Sequence, residues 1–214
     1  MKNKIIIFIV ILVVALAAAA GFFFLNPKKT IQEQNQIPNG NQAETKNGPQ
    51  QNNQKNTGNP QTKIIKDDFS VDLPTGWQET TPSIGVSAMA VNANENINDP
   101  AVKKINFKSY FAVSFDTLQG KSLSEYSDSV KSEFKQVASG VVFSNEQDLT
   151  INGQSAHAIE ADLTQQEINF KILMVVIAGQ ENDVWVITFN TTKSSWDGYK
   201  ELFSNVVKSF VVKK

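Results

Sequence analysis

From Ile5 to Leu25 the chain runs for twenty-one residues without a charged, amide or hydroxyl side chain, and Lys2 and Lys4 precede the run. At about 1.5 Å per residue, a helix of this length crosses the roughly 30 Å hydrocarbon core of a bilayer. Nothing in the run is suited to water. The sequence therefore predicts an N-terminal transmembrane helix, with lipid as the partner of residues 5–25. A cleaved secretory signal is the alternative, since Ala18-Ala19-Ala20 before Gly21 offers a small-residue site near Ala20. Against cleavage, the run is longer than a usual signal core and continues through Phe22-Phe23-Phe24-Leu25, where a mature N-terminus would turn polar. A retained anchor is the expectation.

Lys2, Lys4 and the initiator amine lie on one side of the run, Lys28 and Lys29 on the other. The positive-inside rule then places the N-terminus in the cytoplasm and the C-terminal bulk outside. The chain has no Cys, so it offers no site for lipoprotein acylation and no disulfide. All twenty basic residues are Lys. Without Arg there is no bidentate clamp for phosphate, which weighs against nucleotide and nucleic acid. The Lys, Asn and Gln bias fits a bacterial source.

Residues 26–63 are rich in Asn, Gln, Gly, Pro and Thr, densest at Gln50-Gln51-Asn52-Asn53-Gln54. Such a segment has too little apolar surface to offset the entropy of ordering, so a disordered linker is expected. As a flexible coil it would reach on the order of 30 Å. Residues 1–62 carry a net charge of +4 and residues 63–214 a net of −5. A mildly acidic domain is repelled by nucleic acid.

Residues 64–214 read as one domain. Phe69 to Leu73 alternates apolar and polar, the period of a half-buried strand, and Pro74-Thr75-Gly76 ends it before Trp77. Gly85–Val91 reads as a second strand, Asn92–Pro100 as a polar loop, and Phe107–Phe115 as a strongly alternating strand. Ser122 and Glu125 form a capping box for a helix whose stripe is Leu123, Tyr126, Val130, Phe134 and Val137, closed by Gly140. Asn152-Gly153 marks a type I′ hairpin. Phe170–Ala178 and Val184–Phe189 pair across a short turn, and their near-continuous apolar character places them centrally. Ser194 with Asp197 caps a last helix with the stripe Trp196, Tyr199, Phe203, Val206 and Phe210. The fold class is α+β, an antiparallel β-sheet flanked by helices.

These residues carry a resemblance. A strand ending in Leu73-Pro74-Thr75-Gly76-Trp77, a long strand leading into one amphipathic helix, two hairpins, and a terminal helix closing with Val207-Lys208-Ser209-Phe210 resemble the PsbP-like domains. That family is named for an extrinsic subunit of photosystem II and has bacterial, membrane-attached relatives. The resemblance covers about Ile64 to Val212. It implies an α/β/α sandwich and an accessory, assembly or protein-binding role, not an enzyme. No ion-binding residues carry over.

Candidate chemistry is sparse. Gly120-Lys121-Ser122 sits where a phosphate loop would, but Phe115 stands where the pattern needs Gly, and a helix cap accounts for Ser122. His157 shares a strand face with Ile159, Ala161 and Leu163, while Glu160 and Asp162 point the other way, so packing or hydrogen bonding accounts for it better than metal. Asp67-Asp68, Glu146 with Asp148, and Glu181 with Asp183 read as solvated turn or surface carboxylates, not a paired-acid site. Trp185 and Trp196 read as core. Trp77, following a turn, is read as partly exposed and is the one candidate for direct contact with a partner or ligand. The sequence therefore predicts no catalytic residue, no cofactor and no metal. It predicts a non-enzymatic, membrane-tethered extracytoplasmic domain that binds an envelope protein partner as an accessory or assembly factor. The alternative is a small-ligand or cell-wall-fragment binding module, with a groove near Trp77 and the Asn92–Pro100 loop.

Overall fold

The computed structural model describes residues 62–213. The expected membrane span, from Ile5 to Leu25, and most of the linker lie outside the described residues. Among the described residues no helix is long and apolar enough to cross a membrane.

In chain order the elements are β1 (Lys63–Ile65), β2 (Phe69–Asp72), β3 (Trp77–Thr80), β4 (Ala88–Asn92), α1 (Pro100–Lys104), β5 (Tyr110–Thr117), α2 (Leu123–Val137), β6 (Val142–Ile151), β7 (Gln154–Gln165), β8 (Ile168–Ala178), β9 (Asp183–Thr192), a 3-10 turn (Lys193–Ser195), α3 (Trp196–Lys208) and β10 (Val211–Val212). The fold is α+β, as expected. Seven strands form one sheet in the order β3-β4-β5-β9-β8-β7-β6, with every neighbouring pair antiparallel. A second sheet, β1-β2-β10, joins the two ends of the described chain.

Alternation along the central strands explains the layering. On β9, Trp185, Ile187 and Phe189 pack in one cluster with Phe203, Val206 and Val207 of α3. Val184 and Val186, pointing the other way, pack with Tyr126, Val130 and Phe134 of α2. The two long helices thus cover opposite faces of the sheet, and β8 and β9 are buried on both sides. A third cluster, with Val102 of α1, Phe107, Tyr110 and Phe170, closes the region beyond α2.

The end of α2 nearest β5 forms as its residues dictate. Glu125 N–H donates to Ser122 Oγ at 3.2 Å, and Ser122 N–H donates to Glu125 Oε2 at 2.8 Å. The turn at Asn152-Gly153 has φ of 48° and 85°, the left-handed pair that a type I′ hairpin needs. Gly179 is required sterically, because a Cβ there would lie 2.7 Å from Asp183 Cβ.

Four local expectations are corrected. The second strand is Ala88–Asn92, not Gly85–Val91, because Ser83 to Val86 is a turn closed by Val86 N–H on the Ser83 carbonyl. Trp77 opens a strand of its own, β3. The long strand begins at Tyr110, and Phe107 instead sits in the preceding loop against Phe170 at a centroid distance of 5.1 Å. Ser194 and Asp197 do not cap α3: the N-cap is Ser195 without a side-chain cap bond, Thr192 Oγ1 donates to Ser195 Oγ at 2.9 Å, and Asp197 pairs with Lys200 at 3.0 Å.

Candidate interaction surface

Trp77 is 5 % exposed, so the exposure expected from its place after a turn is not found. Its register explains why. Trp77 pairs with Asn92 at the edge of the sheet, and its ring turns inward against Phe111 at 5.8 Å, Tyr199 at 6.1 Å and Phe203 at 6.1 Å. The last two contacts are edge-to-face, a favoured arrangement of aromatic quadrupoles. Trp77 still forms part of the wall of a cavity of about 390 Å³, together with Leu73, Gly76 and Asn94.

Tyr199 continues this aromatic wall outward. Its ring stacks on Phe203 at 5.3 Å, and its hydroxyl donates to Glu95 Oε1 at 2.7 Å. Asn92 Nδ2 donates to the same hydroxyl at 2.7 Å. Glu95 is held from the sheet side as well, by the backbone N–H and hydroxyl of Ser109, and the Lys108 ammonium donates to the Glu95 carbonyl. The loop between β4 and α1 is therefore fixed to Ser109, the residue before β5, and to α3 by one carboxylate. Burial and the neighbouring Glu95 charge push the Tyr199 hydroxyl up to about 12.

Between this loop and the start of α3 lies a cleft of about 760 Å³, lined by Glu95, Ile97, Asp99, Ser194, Gly198 and Tyr199 among others. A neighbouring cavity of about 400 Å³ shares Gly198 and continues past Pro74, Glu201 and Leu202. A Cβ on Gly198 would meet nothing within 4 Å. The bare helix turn at Gly198 thus joins two hollows into one concave surface. It is lined by Asp72, Glu95, Asp99 and Glu201 and by no lysine. The Asn92–Pro100 loop expected to border a groove does border one, and Asp99 spends its carboxylate on the N–H groups of Ala101 and Val102.

The remaining candidates take structural places. Ser122 is a helix cap, and Gln119 and Gly120 form a turn with φ of 55° and 80°. His157 Nδ1 lies 2.8 Å from Asp148 Oδ1, and Nε2 lies 3.6 Å from Glu146 Oε2. Glu146 also pairs with Lys131 at 2.8 Å, and Lys131 with Asp128 at 2.9 Å. The hydrogen bond from Lys131 holds the Glu146 carboxyl below its ordinary range. This is a cross-strand ion network fastening α2 to β6, formed at the bulge between Ser144 and Gln147. Glu181 and Asp183 stand in the β8–β9 turn, with Glu181 at φ 53°. Trp185 is fully buried against Phe69 at 5.0 Å. Among the described residues no three His, Cys, Asp or Glu side chains are placed to hold a metal ion.

Two arrangements were invisible in the sequence. One is the Glu95–Ser109–Tyr199 knot, which spans 104 residues of chain. The other is Lys171, 7 % exposed, held between Glu160 at 2.8 Å and Asp162 at 3.2 Å, with the Trp196 ring 5.7 Å from its ammonium.

No family model and no curated protein matches the sequence. Solved structures do match the fold. Cyanobacterial PsbP from Synechocystis sp. PCC 6803 aligns with a TM-score of 0.53 at 17 % identity, over 70 % of this chain and 89 % of that one. LpqN, described as involved in cell envelope biogenesis of Mycobacterium tuberculosis, aligns at 0.53 and 12 % identity, over 74 % and 88 %. The protein PA94 from Pseudomonas aeruginosa aligns at 0.51 and 16 % identity, over 72 % and 97 %. The described residues share the fold of these structures, a PsbP-like fold.

Proposed function

We propose that this chain is a single-pass bacterial membrane protein that displays a non-enzymatic PsbP-like domain outside the cytoplasmic membrane, where it binds an envelope protein as an accessory or assembly factor. The observation that carries the reading is the division of the chain. The domain accounts for the residues from about 62 onward, and before it stand an apolar run long enough to span a bilayer and a polar segment able to act as tether. The near-complete coverage of LpqN and cyanobacterial PsbP by the domain supports treating the first sixty residues as an addition to that fold. The role described for LpqN in cell envelope biogenesis supports the process.

The concave surface around Gly198, backed by Trp77 and Tyr199, is where the partner docks in this reading. Rigid backing favours it: the knot at Glu95 holds both walls before any partner arrives, so little ordering entropy is lost on binding. The test is chemical cross-linking and recovery of the full-length protein from its own membranes, with a chain truncated after residue 62 as control. One stoichiometric protein recovered with the full chain and not with the control, and lost on Gly198→Trp, is the expected result. Recovery that ignores Gly198→Trp refutes the surface, and recovery of nothing refutes the role.

A further inference from the structure

A second hollow, away from Gly198, lies between the other flank of α3 and strands β6 to β8, with a volume of about 230 Å³. Its origin is readable in the register. β7 turns Ala156 and Ala158 toward α3, and their cross-strand neighbours are the larger Leu149, Ile177 and Val175. Two methyl groups in a row between bulkier strands leave a trough, and Ser204 on the helix above does not fill it. Leu149, Leu173 and Trp196 remain only partly buried along it.

The helix wall of the trough is cationic. Lys200, Ser204 and Lys208 recur every four residues and so share one face of α3. Lys200 is paired with Asp197 at 3.0 Å. Lys208 makes no side-chain hydrogen bond or ion pair among the described residues. The one acid in the lining, Glu160, is already neutralised by Lys171 at 2.8 Å.

We propose that this trough binds a single-chain anionic amphiphile, a fatty-acid carboxylate, with its acyl chain over Ala158 and its head group at Lys208. The floor is largely apolar, formed by Leu149, Ile151, Ala158, Leu173 and Val175, and so favours burial of an acyl chain. The volume is below that of ordinary drug-sized pockets and suits an unbranched chain. The carboxylate complements the unpaired lysine, and each methylene that reaches the floor tightens binding by about fourfold.

The test uses the full-length protein in phosphatidylcholine nanodiscs and a decanoic acid bearing a photoactivatable diazirine, with the matching decanol as the uncharged control. Labelled residues are mapped by mass spectrometry. Labelling concentrated on the segments holding Leu149 and Leu173 is expected, stronger for the acid than for the alcohol. Ser204→Leu, which fills the trough from the helix, should cut that labelling by about tenfold, and Ala158→Val should do so from the sheet. Thermal unfolding of both variants confirms that they fold. Lys208→Gln should reduce labelling by the acid and leave the alcohol unchanged. Labelling scattered over the domain, or unchanged in both folded trough-filling variants, overturns the site. Equal labelling by acid and alcohol overturns the carboxylate.

Discussion

The hydroxyl of Tyr199 donates to Glu95 at 2.7 Å, and through that bond the last helix holds the loop that forms the opposite wall of the cleft. Glu95 receives donors from Ser109 as well, so the bond belongs to a network and not to an isolated pair.

Tyr199→Phe keeps the ring and removes the hydroxyl. Glu95 then lacks one donor and Asn92 lacks its acceptor, which should cost about 1–3 kcal/mol, or about 2–4 °C in Tm per kcal/mol for a domain of this size. Hydrogen exchange should quicken at residues 95–99 and stay unchanged in β7. Alkali gives a second readout. Tyr199 is raised to about 12 in the folded protein, so its contribution is complete below its ordinary value near 10 and is lost as pH climbs from there toward 12. The variant should show a shallower alkaline loss of stability than the parent.

Asn152 Nδ2 donates to the carbonyls of Phe210 at 2.7 Å and Lys208 at 3.0 Å, so the β6–β7 hairpin clasps the end of α3. Asn152→Gly preserves the left-handed turn and removes only the clasp, at about 1–2 kcal/mol. Asn152→Ala adds the strain of a positive φ and should cost about 1 kcal/mol more. Urea denaturation of the two variants separates clasp from turn.

Lys171 keeps its charge although burial opposes it, because Glu160 and Asp162 draw its pKa upward. Asp162 behaves in the opposite sense: burial would lift it, but Lys193 and Lys171 hold it below the ordinary carboxylate range. Its contribution is therefore present above that range and is lost on acidification through the lowered value. Lys171→Met should destabilise the protein at pH 7 by roughly 1–3 kcal/mol, discounted for the partial exposure of the two acids. It should also flatten the loss of stability below about pH 4. Stability measured by denaturant between pH 3 and 7 checks both.

Local signals were readable where they were strong and short in range. The Ser122–Glu125 box, the Asn152-Gly153 turn and the continuous apolar strands β8 and β9 each state their own geometry. Trp77 misled, because Trp-Gln-Glu-Thr carries no alternation to mark an edge strand, and only pairing with Met89–Asn92 turns its ring inward. Helix α1, with five residues, is too short for a periodic stripe. Ser194 and Asp197 matched a capping pattern, yet the Thr192 hydroxyl occupies the serines nearby. The walls of the cleft join residues near 95 to residues near 199, and no local pattern reports such a separation.

In the proposed function the folded domain stands outside the membrane on a tether. That placement is tested most directly by trypsin on intact spheroplasts followed by mass spectrometry. The segment before the domain offers Lys46 and Lys55 as cleavage sites. External trypsin is expected to release into the medium a folded fragment starting at Asn47 or Asn56 while a cytoplasmic marker stays intact. A domain that remains cell-associated and uncut until the spheroplasts are lysed would contradict it.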